Sequence, residues 1–435
     1  MPLSQRGEAA INAVLRFDLE TFFEAVQNLY HKEDNPEGTF PLNMAENKLS
    51  WPVLKAKMRQ ISSENEIPDW VSNYTSSLGA PEVRQAIASF LSKFLTGCPV
   101  DPARMGMSAG ATSVIEMTAW VLGNPGDVAV FPAPCYPVYK QDMGNKAGIE
   151  RYNLVTHHEL SEISKGPVLD IPHLEKAFND IKSQGKRFRF LVLTSPDNPT
   201  GGIFEYDKLL EITDWCIERN IHLIVNEIYG LSLINTRHPE LKDDYQKIPD
   251  FTSFVRIMET KKSDFLHWWY AFSKDFGASG FRVGLVYSHN TQFIKSYENF
   301  NATHMVSNYA QWIFQKVLED HDFVDKYIQI NQTLLTESYL VAVKTFRKLN
   351  IPYVPAAGSL FVWIDLSEFL SEQSQEAENQ FWLELYQETG ILLTPGEGFG
   401  HSKRGQFRVV FPCLPKEDLE VAMGRLENYI VRIRQ

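Results

Sequence analysis

Apolar runs alternate with an amphipathic segment in the middle of the chain. Three runs, Arg187–Thr194, Ile221–Val225 and Asp264–Phe272, are rich in apolar residues, and the third is especially aromatic. Short runs of this kind, bounded by turn residues, are typical of buried β-strands. Between the first two lies Glu205–Asn220, where apolar residues recur at three- and four-residue spacing, which predicts a helix. A strand, a helix and a second strand that follow one another at this spacing along the chain favour a parallel sheet and an α/β fold.

Each of the three predicted strands is followed by polar residues that could do chemistry. Asn198 follows the first strand, Asn226 and Tyr229 the second, and Lys274 the third. Open α/β sheets bind ligands outside the carboxyl ends of their strands. A lysine held in such a crevice can have a lowered pKa and form a Schiff base with a carbonyl compound. The alternative for Lys274 is a solvated surface lysine.

A turn of small residues precedes another helical pattern. Ser108–Thr112 leads into apolar residues that share one helical face from Val114 to Leu122, interrupted by Thr118. Small residues at the start of a helix leave backbone N–H groups open to an anion, and the helix dipole favours negative charge there. The segment predicts a phosphate site, and the alternative is a plain helix cap.

Composition narrows the function classes. The chain has 435 residues, a length that favours two domains, and its 22% charged and 44% hydrophobic residues are ordinary for a globular protein. Its net charge of −12 argues against nucleic acid as a partner. The four cysteines have no metal-ligand spacing, and no apolar run approaches about 18 residues, so we expect no metal and no membrane span. A cytoplasmic location is expected.

Several motifs together resemble one superfamily. Ser195–Gly201, followed by Ser273–Gly277 and Arg282, resembles the fold-type I pyridoxal-phosphate enzymes of the class I/II aminotransferase superfamily. Within it, the chain is most similar to 1-aminocyclopropane-1-carboxylate (ACC) synthases and to fungal ACC-synthase-like carbon–sulfur lyases. Further motifs shared with this group are Met44–Asn47, Leu78–Arg84, Ala109–Thr112 and Gly358–Leu366.

The resemblance implies an architecture that the sequence pattern alone does not reveal. It implies a large cofactor-binding domain with a mostly parallel sheet over residues 55–305. A smaller α+β domain would combine an N-terminal segment, residues 1–54, with residues 306–435. A homodimer is also implied.

The resemblance further implies pyridoxal 5′-phosphate as the cofactor. In that superfamily, several residues contact the phosphate, an aromatic residue stacks on the pyridine ring, and two residues donate hydrogen bonds to the phenolic oxygen. This chain has a matching residue for each of these roles. The implied cofactor-binding residues are Ala111, Thr112, Tyr136, Asn198, Asn226, Tyr229, Ser273, Lys274 and Arg282.

Catalytic and substrate-binding roles are implied in the same way. Lys274, Tyr229 and Asn226 would be catalytic, with Lys274 taking the substrate α-proton. Arg408 would clamp the α-carboxylate in a two-point contact, with Asn198 beside it. Glu46 could face a sulfonium, and its alternative is a surface or helix-end carboxylate.

One position departs from the family pattern. The residue facing the pyridine nitrogen is normally aspartate, which keeps that nitrogen protonated, but here it is Asn226. A neutral amide weakens the electron sink, which disfavours full transamination and leaves elimination of a good leaving group plausible. Glu227 is not expected to substitute, because adjacent strand residues point to opposite faces. The alternative is a degenerate site.

A second departure concerns a tyrosine that reaches the neighbouring subunit in ACC synthases. Ser77 stands at its position, and Tyr74, three residues earlier, is a possible replacement. The loss weakens the case for S-adenosylmethionine as the substrate.

The sequence therefore predicts a pyridoxal-phosphate-dependent lyase acting on an α-amino acid with a sulfur leaving group. Two reactions fit: β-elimination from a cysteine conjugate, as in sulfur-containing fungal secondary metabolism, and ACC-synthase-like α,γ-elimination from S-adenosylmethionine. The alternatives are a class I aminotransferase and a cofactor-binding protein with degenerate activity.

Overall fold

The computed structural model describes residues 2–11, 16–164, 166–245, 247 and 250–435. In these residues the strands are β1 (Phe40–Pro41), β2 (Met105–Ala109), β3 (Val128–Ala133), β4 (Glu150–Val155), β5 (Phe188–Thr194), β6 (His222–Asn226), β7 (Leu266–Ala271), β8 (Val283–Ser288), β9 (Tyr353–Val354), β10 (Phe361–Asp365), β11 (Ile391–Leu392), β12 (Thr394–Pro395) and β13 (Gln406–Val410).

The α-helices of the same residues surround and connect these strands. They are α1 (Gln5–Ile11), α2 (Leu19–Ala25), α3 (Trp51–Glu64), α4 (Pro81–Leu91), α5 (Ala111–Leu122), α6 (Tyr139–Gly144), α7 (Leu160–Ile163), α8 (Ile171–Ser183), α9 (Tyr206–Glu218), α10 (Val255–Lys261), α11 (Phe272–Asp275), α12 (Thr291–Phe300), α13 (Asn308–Glu319), α14 (His321–Lys348), α15 (Gln375–Thr389) and α16 (Lys416–Ile433). Among these helices, none combines the length and the apolar character that a bilayer crossing needs.

A seven-stranded sheet forms the centre of the molecule, in the order β2-β8-β7-β6-β5-β3-β4. Strands β3 to β7 pair in parallel, and β8 runs antiparallel to both of its neighbours. The three predicted strands are β5, β6 and β7, and the predicted crossover helix is α9. β7 ends at Ala271, one residue before the predicted end, because Phe272 begins the short helix α11. The mostly parallel α/β fold is confirmed.

Strands β5, β6 and β7 are buried on both faces, as parallel strands covered by helices must be. Each is apolar almost throughout because helices pack against both sides of the sheet. Their carboxyl ends therefore lie next to one another at one edge of the sheet, where the chain turns into polar loops.

A second region is built on a smaller sheet from the carboxyl-terminal part of the chain. It has the order β12-β13-β10-β9 with antiparallel pairing, and a separate pair, β1 and β11, ties the N-terminal segment to it. Its apolar core is distinct from the core around the large sheet. Helix α14 contributes Val324 and Tyr327 to the large core and Leu335 and Phe346 to the small one. The domain boundaries near residues 54 and 305 stay a prediction.

Candidate active site

A cavity of about 250 Å³ opens where the carboxyl ends of β5, β6 and β7 meet the second region. Thr194 and Asn226 are the last residues of β5 and β6, and Lys274 lies in α11, directly after β7. The structure brings all eleven site residues that the sequence predicted into the lining of this one cavity: Glu46, Ala111, Thr112, Tyr136, Asn198, Asn226, Tyr229, Ser273, Lys274, Arg282 and Arg408.

One wall of the cavity is the N-terminus of α5. The cap residue, Gly110, has φ +88°, a conformation that favours glycine, and no side chain caps the helix there. A Cβ atom built on Gly110 would lie 2.2 Å from Nη2 of Arg282, so the guanidinium rests directly against this turn. The first N–H groups of the helix and a guanidinium fork therefore converge on one point, which suits a phosphate.

Two hydroxyl groups add to this anion site. The side-chain oxygens of Thr112 and Ser273 line the cavity and make no hydrogen bond within the described part of the chain. Both hydroxyls can donate to an anion. A helix N-terminus, an arginine and two hydroxyls therefore border one part of the cavity, and we call this group the cradle. Its role as a phosphate site stays a prediction.

Lys274 is partly buried at the wall of the cavity, and its amine is held by the backbone. Its Nζ donates to the carbonyl oxygen of Ala45 at 2.6 Å. Burial lowers the pKa of Lys274 to about 8; Glu46 opposes this, and Arg408 and Arg282 add to the lowering. A lysine with this pKa has an appreciable neutral fraction near pH 7, and the neutral amine is the nucleophile and base.

The orientation of the Asn226 amide is fixed by two hydrogen bonds. Its Oδ1 accepts the backbone N–H of Ile228 at 3.2 Å, and its Nδ2 donates to the hydroxyl of Tyr139 at 3.0 Å. Because a backbone N–H can serve only as a donor, the oxygen must face Ile228. The amide nitrogen is thus on the other side, and its second N–H has no acceptor among the described residues.

Glu227 points away from this site, as the sequence predicted. Its carboxylate accepts hydrogen bonds from the Trp268 indole at 2.7 Å and from Ser253 and the backbone of Phe254 at 2.6 Å. Burial raises the pKa of Glu227 to about 7. It does not line the cavity and cannot replace an aspartate at position 226.

Asn198, Tyr229 and Tyr136 line the cavity between the cradle and Arg408. Oδ1 of Asn198 accepts a hydrogen bond from Arg408 at 3.0 Å, which leaves its amide N–H groups for another acceptor. Burial raises the pKa of the Tyr229 and Tyr136 hydroxyls, so both remain protonated donors at neutral pH. An aromatic face and two donors are what a substituted pyridine with an oxygen substituent needs.

Arg408 lies on β13 and is 1% exposed, yet its hydrogen-bond partners are all neutral. Nη2 donates to the Asn43 carbonyl oxygen at 2.9 Å and to the Thr394 hydroxyl at 3.2 Å. Nε is buried and has no partner within the described chain. Burial, reinforced by Arg16, lowers the pKa of Arg408 to about 10. A buried guanidinium with a vacant N–H suits a carboxylate ligand.

The carbonyl oxygen of Asn43 joins the N-terminal segment to this arginine. It accepts from Arg408 at 2.9 Å, from Thr394 at 3.0 Å and from Arg16 at 3.4 Å. Asp18 pairs with Arg16 through both carboxylate oxygens and accepts from the Asn43 side chain at 2.7 Å. The segment thus forms one side of the site.

Among the polar residues that line the site and that the sequence did not point to are Arg16, Tyr139 and Asp142. Tyr139 lies three residues after Tyr136 and is the first residue of α6. Asp142 is 6% exposed, and its Oδ2 has no partner in the described residues; burial, with Glu116 adding, raises its pKa to about 7. No motif surrounds Arg16 or Asp142 in the sequence.

Glu46 and the two candidates for the cross-subunit tyrosine have different surroundings. Glu46 lines the cavity, and its carboxylate lies 3.6 Å from the amine of Lys48. Ser77 donates to the carbonyl oxygen of Glu298 at 2.6 Å, and the Tyr74 ring is fully exposed in the single chain. Neither Ser77 nor Tyr74 lines the cavity, so a role for Tyr74 in a neighbouring subunit stays a prediction.

Residues 41–426 match the family described as aminotransferase class I and II. The chain is 30% identical over 417 residues to 1-aminocyclopropane-1-carboxylate synthase CMW33 of Cucurbita maxima, covering 93% of this chain and 81% of that one. It is 28% identical to 1-aminocyclopropane-1-carboxylate synthase 7 of Arabidopsis thaliana over 422 residues, covering 94% and 91%.

Solved structures share the fold at lower identity. The aspartate aminotransferase from Thermus thermophilus with maleate superimposes with a TM-score of 0.78 at 19% identity, covering 98% of this chain and 99% of that one. An archaeal alanine:glyoxylate aminotransferase superimposes with a TM-score of 0.80 at 16% identity, covering 99% and 98%.

The cavity fits the cofactor that this family uses. Gly110 lets the Arg282 guanidinium lie against the first turn of α5, where a phosphate would bind, and Asn198 keeps amide donors available. Lys274 has a lowered pKa, which favours a covalent link to an aldehyde. The chain belongs to the class I and II aminotransferase family, is close to the ACC synthases, and is a pyridoxal 5′-phosphate-dependent protein.

Proposed function

We propose that this protein is a lyase that removes a sulfur leaving group from an α-amino acid. The observation that carries the proposal is the Asn226 amide, which lines the cavity with its oxygen held by the Ile228 backbone N–H and its nitrogen bonded to the Tyr139 hydroxyl. The relatives named as ACC synthases, which span nearly the whole chain, support an enzyme on an amino acid with a sulfur substituent.

Asn226 can donate a hydrogen bond to the ring nitrogen but cannot supply it with a proton. When bound, the cofactor supplies a sink for the electron pair left at the substrate α-carbon. A donor amide keeps that sink weaker than a protonated ring would be. A substrate that can expel its own leaving group does not depend on a strong sink, because the electrons depart with that group.

The other cavity residues can hold the substrate for this reaction. Arg408, with its vacant Nε–H, would bind the α-carboxylate, and Asn198 would stay aligned through its hydrogen bond to the same guanidinium. This contact would orient the bond between the α-carbon and its carboxylate, in the same cavity that Lys274 lines. The arrangement supports an oriented proton transfer.

Lys274 would accept the α-proton. In a cysteine conjugate, the Cα–H pair then forms the Cα–Cβ double bond, and the Cβ–S pair leaves on sulfur as a thiolate that takes up a proton. The released 2-aminoacrylate adds water to give pyruvate and ammonium. In S-adenosylmethionine, the pair would instead close a Cα–Cγ bond as the Cγ–S bond breaks.

The test measures how the reaction divides, after α-proton removal, between loss of the sulfur group and transfer of the amino group to 2-oxoglutarate. Purified, cofactor-loaded protein is incubated with a cysteine conjugate or with S-adenosylmethionine, in the presence of 2-oxoglutarate. Thiol, pyruvate, cyclopropane amino acid and glutamate are then quantified by mass spectrometry. We expect a sulfur product with little glutamate.

Asn226→Asp is the informative variant, because a carboxylate would favour a protonated ring. This variant should raise the fraction of the total product that is glutamate. Asn235→Asp is the matched control, since Oδ1 of Asn235 accepts the backbone N–H of Arg237 at 3.2 Å in the same type of turn, outside the cavity. Rapid glutamate formation by the native protein would replace this proposal with an aminotransferase. Bound cofactor without any product would mark a degenerate site.

A further inference from the structure

A second cavity of about 510 Å³ adjoins the active site. Arg16 lines both cavities, so its side chain stands where the two meet. The second cavity lies between the N-terminal segment, α6, β4 and the loop after β12. We call it the outer chamber.

The charged residues of the outer chamber are unbalanced. Among the described residues, four cationic side chains and two carboxylates line it: Arg16, Lys140, Arg151 and Arg404 against Asp18 and Glu397. Arg16 and Asp18 neutralise each other through two hydrogen bonds. Three cations therefore face one remaining carboxylate.

Arg151 carries its charge without a carboxylate partner. Its guanidinium donates to Oδ1 of Asn153 and to the carbonyl oxygen of Pro137, both at 2.7 Å, and to Sγ of Cys135 at 3.0 Å. All three acceptors are neutral. The guanidinium is held rigidly at the wall of the chamber, and its positive charge remains uncompensated there.

The side chains of Lys140 and Arg404 are available to a ligand. Neither makes a side-chain hydrogen bond or an ion pair within the described ranges. The carboxylate that influences Arg404 is Glu378, and its oxygens already accept backbone N–H groups of Gly405 at 2.6 Å and Glu397 at 3.2 Å. Two cations without a partner among the described residues thus border the chamber.

His401 lines the chamber as a neutral ring. The residue is 6% exposed, and its Nδ1 accepts the backbone N–H of Lys403 at 3.2 Å. Its ring stacks on that of His157, with 4.9 Å between the ring centroids. Burial lowers the pKa of His401, so the ring stays neutral. The positive charge of the chamber therefore comes from its lysine and arginine side chains.

We propose that the outer chamber binds an anionic group, a carboxylate, at the far end of the substrate's sulfur substituent. The inference rests on the proposed elimination of a sulfur leaving group, and it specifies the substrate as a cysteine conjugate whose substituent ends in an acid. The active-site cavity takes the amino acid, Arg16 stands at the passage, and the acid group reaches Lys140 and Arg404.

The same charges act against the other candidate substrate. S-adenosylmethionine carries a positive sulfonium, and an excess of cations beside the site disfavours it. Glu46, the carboxylate that could face a sulfonium, lies 3.6 Å from Lys48. The charge distribution of the chamber therefore selects the cysteine conjugate.

The experiment uses pairs of cysteine S-conjugates that differ in one functional group. The substituent is an alkyl chain of two or five carbons that ends in either a carboxylate or the matching carboxamide. kcat and KM for every sulfur and amino-transfer product are measured on the cofactor-loaded protein. At one of the two chain lengths, we expect the KM of the carboxylate to be about tenfold lower than that of the matching carboxamide, with similar kcat. A tenfold difference corresponds to the free energy of about one hydrogen bond to a charged group.

Removal of the two free cations tests the assignment to the chamber. The double variant Lys140→Met, Arg404→Met should lose the carboxylate preference and keep its KM for the carboxamides. Lys182→Met, which removes an exposed lysine of α8, is the control and should keep the preference. Lys140→Glu should reverse the preference.

Failure of the two proposals would look different. Equal KM values for all carboxylates and carboxamides in the native protein would overturn the chamber proposal, as would a preference that survives the double variant. If the substrates yield glutamate in place of thiol, the lyase proposal fails. The carboxylate-to-carboxamide ratio of that reaction would still decide whether the chamber binds an anion.

Discussion

Substitution of Arg408 by lysine should weaken amino-acid binding without unfolding the protein. The guanidinium is held by Asn198, the Asn43 carbonyl oxygen and Thr394, and its Nε–H is left for a ligand. Lysine has a single ammonium on a flexible stem and cannot present two parallel N–H groups. Arg408→Lys therefore removes the directed N–H contact to the carboxylate but keeps the positive charge.

The size of the effect follows from the contact that is lost. A hydrogen bond to a charged group contributes about 1.5–3 kcal/mol, so the loss of one such bond should raise the dissociation constant of the amino acid by roughly 10- to 150-fold. The cofactor contacts, which lie around Gly110 and Arg282, are not altered, and the absorbance of the substrate-free protein should stay the same.

The assay is a titration of cofactor-loaded protein with amino acid, followed by the change in cofactor absorbance, together with urea denaturation of each variant. Arg425→Lys is the matched control. Arg425 donates to the carbonyl oxygens of Gly38 and Thr389, both at 2.9 Å, and lies over two aromatic rings, but outside both cavities. It should change stability and leave binding intact. An unchanged dissociation constant for a folded Arg408→Lys variant would refute the clamp.

Three further predictions concern the cofactor site. Borohydride treatment of the loaded protein should fix the cofactor mass on the peptide that contains Lys274, detected by mass spectrometry; a label on another lysine would contradict the assignment. Gly110→Ala places a Cβ 2.2 Å from Nη2 of Arg282, so pyridoxal 5′-phosphate binding should weaken at least about tenfold in a fluorescence titration, whereas an unchanged affinity would remove this turn from the phosphate site. Asp142 has a pKa raised to about 7, and a carboxyl with a raised pKa destabilises the fold as pH rises from about 4, its usual range, toward 7. Asp142→Asn should therefore raise the free energy of unfolding of the apoprotein at pH 8 by on the order of 2 kcal/mol and not at pH 4, measured by urea denaturation; equal gains at both pH values would exclude ionisation as the cause.

The sequence predicted the position of a functional group wherever that group belongs to, or directly follows, a strand or helix that the local pattern predicts. Asn226 and Lys274 come directly after apolar strands, and parallel strands end at the same edge of a sheet, so their convergence could be predicted from local pattern. The anion site was predicted for the same reason, since its backbone N–H groups belong to the first turn of α5.

Features assembled from distant segments could not be predicted from local pattern, and where such residues were named, as Arg408 was, the family resemblance supplied them. Arg16 reaches the cavity because Asp18 and the Asn43 carbonyl oxygen hold it there, and no spacing in the sequence encodes that contact. The outer chamber draws its charges from residues between Arg16 and Arg404, more than 380 positions apart. Periodicity reports the neighbours along one element and carries no information about such groupings.

The anchor of Arg408 is a main-chain atom, and this has an evolutionary consequence. The carbonyl oxygen at position 43 accepts from Arg408, Arg16 and Thr394, and every amino acid carries that oxygen. Point mutation at position 43 can remove the side-chain contact to Asp18 and still leave the arginine in place. Recognition of the amino acid is thereby shielded from single substitutions here. It is exposed instead to insertions, deletions or truncations that shift the path of the N-terminal segment.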